Sequence, residues 1–203
     1  AQDGIGDVAQ SVWNKLTFGY SEDVKGSSQD IEKAKKLLSD AGYSNGFSTS
    51  ISTIAKFQKE AEAVQGQLAK IGIDAKVELV DETAFVPAVM QGKYQMNCLS
   101  ISMGGDAAAF EGVFQTKDPN DPTVGAVNMF FYSNPQVDQL FQDAKVPDQS
   151  IRLDKFEQIA IILNEDAPLV PVYFQKNSFT AVKGLTVGPI DATGQYFIND
   201  FHW

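Results

Sequence analysis

The stretch FSTSISTIAKFQKEAEAVQGQLAKIGIDAKVEL, residues 47–79, contains the pattern that decides the fold. Its first seven residues place serine at every second position between larger or branched side chains, which is typical of a half-buried strand. Apolar residues then recur at steps of four and three from residue 57 to residue 71, the spacing of one helical face. After Gly72 the alternation returns over residues 73–79. The stretch therefore predicts a strand, a helix and a second strand.

The neighbouring sequence extends this alternation of strands and helices. Asp30 can cap a helix that Gly42 ends. A short helix is predicted over residues 83–91, bent at Pro87, and a buried central strand over residues 94–102, where apolar residues occur at both parities. Strands that alternate with helices imply right-handed crossovers and a largely parallel sheet. We expect an α/β domain with helices outside a mixed, largely parallel sheet that includes residues 47–53, 73–80 and 94–102.

The second half of the chain is richer in loops, and residues 104–131 contain few regular patterns. Asn134-Pro135 then begins a helix, because Asn caps and Pro suits the first helical position. A further helix is predicted over residues 148–164, and a strand over 169–174. For the domains, we expect a connecting segment over residues 1–29, with an apolar patch around Trp13, Leu16 and Phe18, an α/β lobe over 30–175, and a C-terminal segment over 176–203 that packs on the lobe.

Composition excludes several classes of partner and site. The formal net charge is −10, and no stretch clusters Lys and Arg, so neither nucleic acid nor an anionic membrane surface is an expected partner. The single cysteine, Cys98, excludes an internal disulfide. Because His202 is the single histidine, a multi-histidine metal centre is excluded as well. We therefore expect no metal site and no cofactor. An oxygen-ligand calcium site is the open alternative, although no EF-hand loop spacing is present.

No catalytic motif stands out in the sequence. Cys98 has no histidine near it in the sequence and lies in the middle of a predicted strand, where we interpret it as a small buried hydrophobe. The glycines at Gly4 and Gly6, with Ala9, imitate a dinucleotide-binding fingerprint, but no strand precedes them. We expect a protein that is not an enzyme. The many carboxylates leave an α/β enzyme domain that uses them as an open alternative.

Five segments together resemble one protein family. They follow one another in the family's order: EKAKKLLSDAGYSNGF (32–47), AVQGQLAKIGIDAKVELVD (63–81), GKYQMNCLSISM (92–103), FYSNPQVDQLFQDA (131–144) and NEDAPLVPVYF (164–174). The chain resembles the second lobe and C-terminal part of the extracytoplasmic solute-binding proteins of family 5. The glycines and prolines of these five segments end helices, begin a helix or begin a strand. These motifs therefore identify a fold and do not identify the ligand.

The resemblance implies a two-lobe protein of the type II periplasmic-binding-protein-like fold. Such a protein closes on a peptide or other small solute in the cleft between its lobes and delivers it to the permease subunits of an ABC importer. It would lie in the periplasm or on the cell surface as a lipoprotein. Family members are considerably longer than this chain, so the first lobe is expected to be missing. A non-transport interaction module on the same fold is a second alternative.

The expected ligand contacts follow the predicted strand 94–102, because open α/β sheets bind ligands beyond the carboxyl ends of their strands. That strand ends at Ser102. The resemblance implies that Met103 takes the place of an aromatic residue. It also implies that Asp106 takes the place of an aspartate that meets the α-amino group of a peptide. Asp106 could instead cap a helix that follows it, and both alternatives stay open.

Two departures from the family pattern weaken the case for a peptide ligand. Residues 107–109 are alanines where members often have Asp-x-x-Pro after the aspartate, and Ser100 stands where some peptide binders carry a basic residue. Asn128 is a further candidate ligand contact, whereas core packing is favoured for Met129 and Phe130. The candidate ligand-binding residues are thus Ser100, Ser102, Met103, Asp106 and Asn128, with no catalytic residue.

Overall fold

A computed structural model describes residues 6–26, 28–176, 180–188 and 198–203 of the chain. Among these residues the chain divides into two compact units. Residues 28–101 form the first unit, and residues 6–26 join everything from Ser102 onward in the second. The lobe predicted over residues 30–175 therefore contains nearly all of the first unit and a large part of the second unit.

In chain order, the described residues form eleven helices and strands. They are β1 (Asp7–Val8), α1 (Ile31–Asp40), β2 (Phe47–Thr53), α2 (Gln58–Ala69), β3 (Ile73–Leu79), α3 (Glu82–Met90), β4 (Met96–Cys98), α4 (Glu111–Phe114), α5 (Pro135–Asp143), α6 (Gln149–Asp166) and β5 (Tyr173–Phe174). Short 3₁₀ turns occupy Ala55–Phe57, Ala107–Phe110 and Ile198–Asp200. Within the described ranges, no helix is both long enough and apolar enough to cross a membrane.

A three-stranded parallel sheet organises the first unit, in the order β3-β2-β4. The ladder between β2 and β3 runs from Phe47 opposite Ile73 to Thr53 opposite Leu79. Helix α2 covers one face, where Ile51, Ala61 and Ala75 are buried together. The predicted α/β class with a parallel sheet and flanking helices is confirmed, and all three predicted segments contribute to one sheet.

The central strand predicted over residues 94–102 is much shorter in the structure. Strand β4 spans Met96–Cys98 and pairs only with the last three residues of β2. Because β2 ends at Thr53, the residues after Cys98 have no neighbouring strand on which to continue the ladder. The length of a strand depends on its partner, which the alternation of side chains within one segment does not reveal.

Aromatic and aliphatic side chains from three parts of the second unit share one core. Trp13 is completely buried, with its ring centroid 4.8 Å from that of Phe110, and its Nε1 donates to the Phe156 carbonyl at 3.4 Å. Residues 6–26, which belong to the predicted connecting segment with its apolar patch around Trp13, thus contribute a side chain to this core. Leu16, placed in the same predicted apolar patch, is exposed, whereas Phe18 packs on the core.

A short antiparallel ribbon of β1 and β5 also belongs to the second unit, with Asp7 opposite Phe174 and Val8 opposite Tyr173. The predicted strand 169–174 is thus reduced to its last two residues. Pro171 has no N–H to donate to a ladder, which shortens the strand from its start. The predicted C-terminal segment is described only in part, where Thr186 and His202 exchange two backbone hydrogen bonds. Residues 177–179 and 189–197 lie outside the described part.

Candidate functional site

The backbone around Asp106 is held by the N-terminal segment of the second unit. Phe18 N donates to Gly105 O, and Ala107 N donates to Phe18 O, both at 2.8 Å. These two bonds form a parallel bridge between Phe18 and Asp106. These backbone bonds fix residue 106 from both sides, independently of its side chain, although a glycine pair precedes it in the sequence.

Both carboxylate oxygens of Asp106 have partners. Oδ1 accepts a hydrogen bond from Ala108 N at 2.9 Å and so caps the 3₁₀ turn Ala107–Phe110. Oδ2 accepts from Arg152 Nη2 at 2.6 Å, a charge-assisted hydrogen bond. The capping alternative for Asp106 is thus confirmed. Because the side chain is still 40% exposed, the cap does not by itself exclude contact with a solute.

Arg152 joins the site from the first turn of α6, and the sequence analysis missed it. Its guanidinium carbon lies 4.7 Å from the ring centroid of Phe18 and 5.5 Å from that of Phe156. Cation–π contacts of this kind and the bond to Asp106 together fix the planar head group. One signal could have drawn attention to the residue, because Arg152 is the only arginine in the 203 residues.

The other predicted contacts on this loop differ in their surroundings. Met103 is partly buried and packs against the aromatic core of the second unit, so its side chain anchors the loop that leads to Asp106. Ser102 is exposed at the start of the second unit. Ser100 is also exposed but belongs to the first unit. The structure therefore brings Asp106 and Met103 into one unit and leaves Ser100 outside it.

Asn128 organises a loop instead of facing solvent. The side chain is completely buried, its Nδ2 donates to Gln115 O at 2.9 Å and to Tyr132 O at 2.8 Å, and its Oδ1 accepts from Tyr132 N at 3.2 Å. These bonds engage both polar atoms of the side chain and hold the loop together, and the ligand contact expected of Asn128 stays a prediction. Phe130 stacks on Phe114 with ring centroids 6.0 Å apart, which confirms its predicted packing role.

Cys98 lies at the end of β4, where Thr53 Oγ1 donates to its carbonyl at 2.8 Å. Partial burial, and to a lesser extent the carboxylate of Glu60, raises the pKa of the Cys98 thiol. A raised pKa leaves less thiolate, the nucleophilic form, at neutral pH. Within the described part of the chain, no group of three or more His, Cys, Asp or Glu side chains could hold a metal ion.

The comparison with known families agrees with this geometry. The family described as "Bacterial extracellular solute-binding proteins, family 5 Middle" matches residues 2–123. The chain belongs to this family. The resemblance read from the five sequence segments is therefore confirmed.

Family 5 relatives extend the match over most of the chain. The oligopeptide-binding protein AppA of Bacillus subtilis (strain 168) is 27% identical over 201 residues, which are 90% of this chain and 36% of that protein. The glutathione-binding protein GsiB of Escherichia coli (strain K12) is 31% identical over 182 residues, 84% of this chain and 35% of GsiB. The chain spans about a third of the length of these relatives.

A solved structure supports the same fold. The periplasmic binding protein DppA from Helicobacter pylori, in complex with the peptide STSA, superposes with a TM-score of 0.77 at 29% identity. The match covers 85% of this chain and 34% of DppA. The type II periplasmic-binding-protein-like fold class is confirmed by this similarity together with the parallel sheet.

Proposed function

We propose that the chain is one lobe of the substrate-binding component of an ABC importer. In this role it helps to capture a peptide or other small solute and to present it to the permease subunits. The observation that carries the proposal is the family 5 match over residues 2–123. The names of the relatives, which bind oligopeptides, glutathione and the peptide STSA, favour solutes of the peptide type.

We further propose that a first lobe completes the cleft and covers part of this chain. The apolar run LVPVYF, residues 169–174, has the composition of a strand buried on both faces. In the structure Val170 and Val172 are largely exposed, and the ribbon of β1 and β5 is only two residues long. Two short strands alone are marginally stable, so further protein packed over them would account for the exposed valines.

The location follows from the same proposal. A component that hands solutes to an importer works outside the cytoplasmic membrane, in the periplasm or as a lipoprotein on the cell surface. Binding without turnover is the proposed activity, and the raised pKa of the Cys98 thiol argues against the one cysteine as a nucleophile. No specific contact among the described residues favours the carboxylate enzyme or the interaction module.

Calorimetry with a small solute panel tests the proposal. A protein that carries this chain together with a first lobe should bind at least one of Ala-Ala, Ala-Ala-Ala-Ala and glutathione without converting it. The chain alone should bind the same solute much more weakly, because one lobe leaves the solute hydrated and its polar contacts screened. Equal affinities would contradict the two-lobe cleft. Hydrolysis that is lost on a single carboxylate substitution would establish the enzyme alternative.

A further inference from the structure

The charges around Asp106 cancel within the site itself. Arg152 Nη2 lies 2.6 Å from Asp106 Oδ2, and the second oxygen of the carboxylate already caps a turn through Ala108 N. A carboxylate with a guanidinium at this distance attracts a further cation far less than an isolated carboxylate does. The chain carries a net charge of −10, which by itself favours cations, so this local neutrality runs against the charge of the whole chain.

The position of Arg152 in α6 is costly for a positive charge. It lies in the first turn, close to the helix N-terminus, where the helix dipole disfavours cations. Asp106 compensates for this placement, and the rings of Phe18 and Phe156 hold the guanidinium against it. The chain thus places its only arginine where the arginine neutralises one particular carboxylate.

The pair is also reachable from solvent. The Asp106 side chain is 40% exposed and that of Arg152 22% exposed, so neither is sealed inside the core. A guanidinium has five N–H donors in a fixed fork, which suits an acceptor group of a solute as well as Asp106. The two side chains therefore present a dipolar surface with no net charge.

We infer that Arg152 determines the charge preference of the solute site. Paired with Asp106, it makes the site take solutes with no net charge, zwitterions included, in preference to net cations. The inference rests on the proposed function, because it concerns the class of solute that the binding lobe accepts. It also revises the expectation that Asp106 alone meets a cationic group.

The test uses one peptide in three charge states. Ala-Ala-Ala with free termini, with an amidated C-terminus and with an acetylated N-terminus is titrated into the ¹⁵N-labelled 203-residue chain. NMR shifts of the amides from Asp106 to Ala109 report millimolar dissociation constants, which suits weak binding by one lobe. The wild-type chain should bind the zwitterion about fivefold or more tighter than the amidated cation.

Two substitutions should move this preference in opposite directions. Arg152→Gln leaves Asp106 unpaired and should reduce the zwitterion-to-cation ratio to about one or reverse it. Asp106→Asn leaves Arg152 unpaired and should favour the acetylated anion. Lys155→Gln is the matched control, because it removes one positive charge from the same helix at a similar exposure, 25%, from a lysine paired with Asp154. It should keep the wild-type ratio.

Each outcome decides the inference. If binding persists and both Arg152→Gln and Asp106→Asn keep the wild-type ratio, Arg152 does not determine the preference, and the proposed function stands. If Lys155→Gln changes the ratio as much as Arg152→Gln does, net charge is the cause and the inference fails. If none of the three peptides shifts the amides of the wild-type chain, the Asp106–Arg152 pair does not select these solutes and the inference fails, while the proposed function is still decided by calorimetry on the two-lobe protein. Should circular dichroism show that Arg152→Gln is unfolded, the shift of Asp106→Asn towards the anion decides.

Discussion

The Tyr132 hydroxyl donates a hydrogen bond of 2.5 Å to Asp166 Oδ2, and Asn134 Nδ2 donates to the same oxygen at 2.8 Å. These residues come from two separate segments of the family resemblance, residues 131–144 and 164–174. Because Asn134 also caps α5 and Asp166 is the last residue of α6, one carboxylate ties the start of one helix to the end of the next.

The two pKa shifts give this contact a defined pH range. The hydrogen bonds from Tyr132 and then Asn134 lower the pKa of Asp166, so its stabilising effect exists above the ordinary aspartate pKa and is lost as the pH falls through the lowered value. Burial, followed by the bond to Asp166, raises the pKa of Tyr132. Its stabilising effect exists below the ordinary tyrosine pKa and is lost as the pH rises beyond it.

Tyr132→Phe should therefore destabilise the chain most at intermediate pH. We expect a loss of about 1 kcal/mol in the free energy of unfolding, at the low end for a bond to a charged group because Asp166 is exposed. Urea titrations should show this loss between about pH 5 and pH 9, shrinking at either side. Tyr43→Phe, at an exposed tyrosine, is the control. A loss from Tyr132→Phe that is constant from pH 2 to pH 11 would refute the role of the ionised carboxylate.

Local signals in the sequence predicted the elements of the first unit well, apart from the length of β4. Asp30 caps α1 through Lys33 N, as the sequence indicates, and Gly72 has a φ of +86°, the left-handed conformation that ends a helix. The alternation over residues 47–53 and 73–79 coincides with β2 and β3. Caps, stops and periodicity act within a few residues, so a single segment contains the information.

Contacts between distant residues could not be predicted in this way. Arg152 and Asp106 are 46 positions apart, and Trp13 reaches the Phe156 carbonyl across 143 positions. No periodicity links such pairs, because they depend on how finished elements pack. For the same reason, the sequence indicated a candidate carboxylate at Asp106 but neither its cation nor the N-terminal segment that holds it.

A close backbone approach makes Gly46 difficult to replace. A Cβ atom at this residue would lie 1.8 Å from the Gly72 carbonyl oxygen, and its φ of +70° is left-handed. Gly46→Ala should cost at least about 2 kcal/mol, because strain and a clash with backbone add together. The measurement is the urea midpoint of unfolding followed by circular dichroism.

Gly66→Ala provides the matched control for this substitution. Gly66 lies inside α2, where nothing stands within 4 Å of an added Cβ. Alanine is the better helix former, so the same chemical change should here stabilise the chain by about 0.5–1 kcal/mol. Opposite signs for the two alanines are the expected result. Equal effects would contradict the tight contact between Gly46 and Gly72.

Asn128 offers a direct test of loop support against solute contact. Asn128→Asp keeps the shape but removes the donors to Gln115 and Tyr132 and buries a carboxylate, so we expect a loss of about 3 kcal/mol or more. Asn120→Asp, at an exposed position nearby in the chain, should stay within about 0.5 kcal/mol of wild type. Reduced solute affinity with unchanged stability in Asn128→Asp would instead support the ligand-contact prediction.

The two tryptophans of the chain are a matched pair for testing the N-terminal segment. Trp13 is 0% exposed among the rings of Phe110 and Phe114, whereas Trp203 is 83% exposed. Trp13→Ala should cost about 3–5 kcal/mol, the usual loss for a buried aromatic, because it empties the centre of the second unit's core. Trp203→Ala should change the free energy of unfolding by less than about 0.5 kcal/mol.

Fluorescence gives an independent measure of the same burial. In Trp203→Phe the remaining emission comes from Trp13 and should be blue-shifted and poorly quenched by acrylamide. In Trp13→Phe the emission comes from Trp203 and should be quenched readily, since that ring is open to solvent. If Trp13→Ala unfolds at the wild-type urea concentration and Trp13 is quenched as readily as Trp203, the N-terminal residues are a connecting segment after all. Protected emission together with a large loss of stability would establish that they are part of the core that supports Asp106.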